Sequence, residues 1–203
     1  MTTAQSRRVD YSESTRQALV DSAVDLFTKR GYAATSLDAI AKRARVTKGA
    51  LYHHFSGKQA LFEAAFRSVE TAVMARLGEV VAGPGAAWDR VLGGLQAYIK
   101  ICMEPSYQRI AIHEGPVVMG WERWREAEEH LSYGIVKSAL ESLIEAREID
   151  EMPVEVTTRI LFGALSTGAT IIAAADDAKK AAADVMFTIT KVLEGLRRPQ
   201  AAG

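Results

Sequence analysis

The chain has one cysteine, Cys102, in 203 residues. That excludes an intrachain disulfide and a cysteine-rich zinc site. Histidine is scarce as well, with four residues, two of them the neighbours His53 and His54. No pair has the spacing of metal ligands along a helix, so neither a metal nor a cofactor is expected. A G-x-S-x-G nucleophile turn and a phosphate-cradling glycine loop are both missing. Glu122, Glu126, Glu128 and Glu129 read as the solvated face of one helix, and Cys102 as an inert thiol within an apolar helix. An enzyme is therefore not expected. The longest uncharged run, Ile160 to Ala175, has 16 residues. It falls short of the roughly 20 needed to cross a bilayer, and Ser166, Thr167 and Thr170 dilute it, so a buried or interface helix is the better reading. No secretory segment stands at Met1 to Asp10, which makes a cytoplasmic location the default.

What the sequence does hold is 48% hydrophobic residues with few aromatics and abundant alanine. This is enough for a sizeable core and favours helices. The net charge of zero hides an asymmetry. Residues 1–58 hold 10 Lys+Arg against 5 Asp+Glu, and residues 59–203 hold 15 against 20. A basic N-terminal module on an acidic remainder suits a chain with one end on a polyanion.

Thr35 to Phe55, TSLDAIAKRARVTKGALYHHF, carries the sharpest local signal. Leu37, Ile40, Ala41 and Ala44 fall on one face of a helix, with Thr35 as its expected cap. Arg45-Val46-Thr47 forms a corner. Thr47 is the expected N-cap of a second helix, and Val46 and Leu51 have the spacing of a hydrophobic staple. Leu51 and Phe55 then point inward, leaving Lys48, Gly49, Ala50, Tyr52 and His53 outside. Two short helices so joined form a helix-turn-helix, whose second helix reads the major groove. Any two short amphipathic helices give part of this pattern.

The literal residues from about Leu19 to Phe62 go further. Leu26-Phe27, Gly31-Tyr32, Thr35-Ser36, Ile40-Ala41 and the run Val46 to Phe55 resemble, in order, the DNA-binding domain of the TetR (tetracycline-repressor-like) family of transcriptional regulators. The resemblance implies an all-α homodimer of about nine helices per chain. It implies a DNA-binding domain over 1–58 and an effector-binding and dimerisation domain over 59–203. Thr35, Ser36, Arg45, Thr47, Lys48, Gly49, Ala50, Tyr52, His53 and Lys58 are the expected contacts to double-stranded operator DNA. Arg45 departs from the glycine usual at this turn, so it either strains the corner or adds a phosphate contact.

Taken in order, residues 1–11 read as a disordered arm. A first helix is expected from Ser14 to Gly31, and another from a Ser56–Gln59 capping box to about Val81. Gly83-Pro84-Gly85 breaks the chain. Five helices then follow, over Ala86–Met103, Ser106–Glu114, Trp121–Ala146, Pro153–Ala175 and Asp176–Leu196. The last two are expected to form the homodimer interface, with Gly168 among its small residues; packing within one subunit is the alternative. Tyr98, Cys102, Tyr107, His113, Trp121, Trp124 and Phe162 are candidates for the wall of an effector pocket, and their apolar and aromatic character suggests a hydrophobic or aromatic ligand. Trp121 and Trp124 could equally pack the core. The expected function is a ligand-released repressor. The alternatives are a DNA-binding regulator without an effector and a helical enzyme or carrier sharing the C-terminal fold.

Overall fold

The computed structural model describes residues 3–198, with side chains from Tyr11 onward. Among the described residues there are nine α-helices and one π-helical stretch. They are α1 (Thr3–Ala34), α2 (Leu37–Arg43), α3 (Lys48–His54), α4 (Lys58–Val81), α5 (Ala87–Ile101), the π-helical stretch Tyr107–Glu114, α6 (Gly115–Met119), α7 (Trp121–Glu145), α8 (Val154–Ala174) and α9 (Ala178–Leu196). The all-α expectation holds. α1 is described from Thr3, so the arm expected over residues 1–11 overlaps this helix; Met1 and Thr2 lie outside the described residues.

α1, α2 and α3 close around Leu19, Phe27, Ile40 and Leu51, each fully buried. Phe62 of α4 joins them, packing edge-on to Phe27 and Tyr32. α4 thus joins the two parts of the chain: it packs on α1 and also on α5 and α7, and Glu63 near its start pairs with Arg123 of α7 at 2.9 Å. α4 starts one residue later than a Ser56 cap would place it. Gly57 occupies the N-cap position without a side-chain bond, and Gln59 instead donates to the carbonyl of Val118, 3.2 Å away.

The π-helical stretch leaves one carbonyl free at its end. In an i→i−5 register the amide of residue 116 would bond the carbonyl of Ala111, but Pro116 has no N–H. The indole Nε1 of Trp124 donates to that carbonyl at 2.8 Å. Gly115 makes room, since a Cβ there would lie 2.7 Å from the Trp124 ring. Five helices expected after the Gly83-Pro84-Gly85 break thus become four long ones plus a π stretch and the five-residue α6.

α8 as a whole is longer than its uncharged run. At 21 residues with a mean hydropathy of 1.4 it is long and apolar enough to cross a membrane by those two measures. It packs instead on α7 and α9 along one side, leaving Val156, Ile160 and Ile171 exposed on the other.

Candidate nucleic-acid interface and ligand cavity

The corner between α2 and α3 is a Schellman turn. The amide of Val46 bonds the carbonyl of Ala41 at 3.0 Å, and that of Arg45 bonds Lys42 at 3.2 Å. This geometry requires a left-handed residue after the cap, and Arg45 takes it with φ 58°. A non-glycine residue there carries a cost of about 1–2 kcal/mol. Arg45→Gly should therefore stabilise the protein by up to about 1 kcal/mol after the greater freedom of glycine in the unfolded chain is allowed for. The midpoint of urea unfolding should rise; an unchanged or lower midpoint would mean that the exposed arginine contributes more than its backbone costs.

Thr47 caps α3 as expected, accepting from the amide of Ala50 at 3.2 Å. Ser36, not Thr35, caps α2, accepting from Ala39. Thr35 is 1% exposed and its hydroxyl donates to the carbonyls of Gly31 and Leu26. Its side chain cannot reach DNA, which corrects its assignment as a phosphate contact. Its role is to hold the break at Gly31. The outer face of α3 carries Lys48, Gly49, Tyr52 and His53, all exposed, with Ala50 half-buried. Only Thr47 Oγ1, at 3.9 Å, approaches the vacant Cβ position of Gly49, so another surface can come close there. Lys48 pairs with Asp38 at 2.9 Å across the first turns of the two helices. His54 lies half-buried, and burial together with His53 and Arg16 lowers its pKa, which favours the neutral ring. Lys58 is already engaged: its ammonium lies 4.3 Å above the Tyr32 ring and donates to the carbonyl of Ala33.

A second set of contacts joins this head to the remainder. Gly31 turns with φ 77° and ψ 169°, exposing the amide of Tyr32 to the carboxylate of Glu114. Both oxygens of Glu114 accept from it at 2.9 Å, and Arg109 pairs with the same carboxylate at 3.3 Å. A Cβ on Gly31 would lie 2.6 Å from Arg109 and 2.7 Å from Glu114. Both the positive φ and this close approach require glycine.

Within the C-terminal helices lies a cavity of about 650 Å³ between α4, α5, α7, α8 and α9. Tyr98, Tyr107 and Phe162 line it, as expected. The other four candidates do not. Cys102 is buried without reaching the cavity wall, and burial pushes its thiol up to about 12. His113 is exposed. Trp124 is buried but serves the π-helical stretch. Trp121 is 62% exposed and stacks on Trp124 at 5.0 Å, at the edge of a second depression of about 370 Å³ that also includes Phe162.

The cavity wall also holds a carboxylate. Glu128 is 7% exposed and accepts from the hydroxyl of Ser166 at 3.2 Å. Its helix face is buried rather than solvated, because α8 covers it. Glu70 of α4 is fully buried close by; its Oε2 accepts weakly from Ser132 at 3.5 Å and its Oε1 has no partner. Burial, with the charge of Glu128, raises the Glu70 carboxyl to about 8. Burial raises Glu128 to about 7 against the hydrogen bond from Ser166.

Two family models match the chain. "Bacterial regulatory proteins, tetR family" covers residues 19–65, and "Tetracyclin repressor-like, C-terminal domain" covers residues 88–196, more than half the chain. The protein belongs to the TetR family. Among its relatives, the TetC protein of transposon Tn10 from Escherichia coli is 29% identical over 154 residues, 74% of this chain and 76% of that one. The IcaR negative transcriptional regulator of the Staphylococcus aureus biofilm operon is 40% identical over 48 residues, 24% of this chain and 26% of its own. A TetR-family regulator from Pectobacterium atrosepticum has a solved structure that superposes with a TM-score of 0.85 at 27% identity, covering 94% of this chain and 98% of that one.

The protein is thus a TetR-family transcriptional regulator, and regulators of this family are dimeric and bind operator DNA. Sequence reasoning found the TetR reading head but missed the two buried glutamates. A signal was present. Glu70 follows Phe66 by four residues and precedes Val73 and Leu77 by three and seven, inside the apolar stripe of α4. Glu128 follows buried Trp124 by four.

Proposed function

We propose that this TetR-family protein is a cytoplasmic repressor that binds an inverted-repeat operator as a homodimer and is released by a small organic effector. The observation that carries the effector part is the pair of links between cavity and reading head. α4 runs from Lys58, at the head, to Leu77 and Val81 on the cavity wall. The π-helical stretch carries Tyr107 on the cavity at one end and Glu114 on the amide of Tyr32 at the other. A ligand that binds one arrangement of these elements better than another shifts the spacing of the two heads by that difference in affinity. Such a stretch of π-helix is a common place for functional rearrangement.

The homodimer interface we assign to the outer faces of α8 and α9. Val156, Ile160, Gly163, Thr167 and Ile171 follow one another at helical spacing along α8, and all are exposed. Phe187 and Val192 of α9 are exposed beside them. A self-complementary patch of this kind suits a two-fold interface. Gly168 belongs elsewhere: it is buried, and its vacant Cβ position lies 2.7 Å from Val185 of the same subunit. Its assignment to the interface is corrected to close packing of α8 on α9.

On DNA, Lys48 and Gly49 lie nearest the bases, while Ser36, Arg45, Thr47, Tyr52, His53 and Lys58 face phosphates. Lys58→Ala should weaken binding about equally on all sequences and reduce the salt slope by up to roughly one unit per head. A change in base preference with an unaltered slope would remove Lys58 from the phosphate contacts and leave it only its bonds to Tyr32 and Ala33. A thermal-shift screen of small organic molecules, followed by anisotropy of labelled operator, tests the effector reading. Compounds that raise stability should also release DNA. A protein that no compound stabilises would favour a regulator controlled by its abundance.

A further inference from the structure

The cavity contains an electrostatic asymmetry that an apolar ligand leaves unused. Its wall is mostly aliphatic and includes no lysine or arginine among the described residues, yet it contains Glu128 and Ser132 of α7 and Asp184 of α9; Asp184 is exposed and pairs with Lys180 at 3.4 Å, which leaves Glu128 as the buried acid of the wall. Glu128 has one partner, Ser166, and no cation within ion-pair distance among the described residues. Directly behind Ser132 stands Glu70, fully buried, with Oε1 unpartnered. The unpartnered Oε1 of Glu70 costs free energy, and neither acid has a counter-ion among the described residues. A buried acceptor of this kind is satisfied by a donor that enters with a ligand.

We infer that the cavity takes an amphipathic organic cation, an apolar body carrying a primary ammonium group, with the ammonium seated between Glu128 and the Ser132–Glu70 pair. This rests on the effector reading proposed above and narrows its ligand class. A primary ammonium brings three N–H donors and a positive charge. Glu128 lines the cavity with Ser166 as its one donor, so its carboxylate has lone pairs to spare for a ligand, and Ser132 can turn its hydroxyl between ligand and Glu70. Tyr98 and Tyr107 line the same cavity with phenol rings that burial keeps neutral. The apolar body lies along Leu77, Leu95 and Leu140. An anion is disfavoured, since it would face Glu128 and Asp184 on a wall with no lysine or arginine among the described residues. Because Glu70 belongs to α4 and Glu128 to α7, a charge placed between them pulls on the helix that leads to the reading head.

The test uses three probes with one tail and different heads: n-decylamine, 1-decanol and decanoate, each below its micellar concentration. Binding to the full-length dimer is measured by calorimetry at pH 7.5, where the amine is charged. n-Decylamine should bind at least about tenfold tighter than 1-decanol, the value of a charge-assisted hydrogen bond, and decanoate weakest. Glu128→Gln should bring the amine to within about twofold of the alcohol, and Glu70→Gln should reduce its advantage. Both variants replace a desolvated acid with a neutral amide, so a thermal transition at or above that of the parent shows that they fold. An amine that binds no tighter than the alcohol, a failure of all three to bind, or an amine preference that survives both substitutions would overturn the inference. Operator release is read separately by anisotropy. Carboxylate-dependent amine binding that leaves the operator bound would sustain the cation site and contradict the effector role.

Discussion

Phe187→Arg should give monomers that no longer hold a specific operator. Phe187 is 65% exposed on α9, beside the exposed stripe of α8 on which Ile160 is 67% exposed. In a two-fold interface one substitution acts twice, so two guanidinium groups would be stripped of water at once without a carboxylate assigned to receive them. That costs several kcal/mol, enough to dissociate a dimer at micromolar concentration. A lone reading head keeps its phosphate contacts but loses the second half-site. Affinity should fall toward non-specific binding, a loss of about a thousandfold or more. Helicity and the unfolding of each subunit should change little, because the side chain is already in solvent in the single subunit. Sedimentation velocity and operator anisotropy check the two parts together. A Phe187→Arg protein that sediments as a dimer and binds operator normally would move the interface away from α9.

The second large effect is on stability against pH. Glu70 and Glu128 have an ordinary value of 4.5 that burial raises to about 8 and about 7. The native state therefore holds protons that the unfolded chain has released, and the sign is opposite to that of a salt-bridged acid. The stability contributed by these groups is fully present below about pH 4.5. It is lost progressively as pH rises through about 7 for Glu128 and about 8 for Glu70. Each group alone gives a slope of up to about 1.4 kcal/mol per pH unit within its window. Urea unfolding at pH 5.5, 7 and 8.5 should show stability declining by a few kcal/mol in the parent and by much less in Glu70→Gln. Glu70→Gln should also be the more stable protein at pH 8.5. A parent whose stability rises across the same range would mean that both carboxylates are ionised and paired in the folded protein.

How much of this was legible in the sequence varies with the range of the forces involved. The α2–α3 corner was readable because caps, staples and helix stripes are local: Thr47 caps α3, and Leu51 and Phe55 are buried. The choice between Thr35 and Ser36 as cap was not, since it depends on the hydroxyl of Thr35 meeting the carbonyl of Gly31, at a kink whose next amide is held by Glu114 from 82 residues away. Glu128 stands in a run of charges and reads as solvated until α8 is laid over it. Trp124 looked like a pocket wall because its helix position and size allow that. Its bond to Ala111 follows only from the missing N–H of Pro116. His113, one residue from the Glu114 that grips the head, is turned outward. Successive residues on any helix point in different directions, so the sequence could not say which of the two would face the head.

The most direct test of the central claim, that the outer face of α3 reads operator DNA from a dimer, is selection of bound sequences from a random double-stranded library by the full-length protein. The expected result is enrichment of an imperfect inverted repeat whose half-site centres are separated by about one helical turn or a multiple of it, with the enrichment lost in Phe187→Arg and altered at one or two base positions in Lys48→Ala. No enriched sequence, or a site that Lys48→Ala and Phe187→Arg both bind as the parent does, would contradict it.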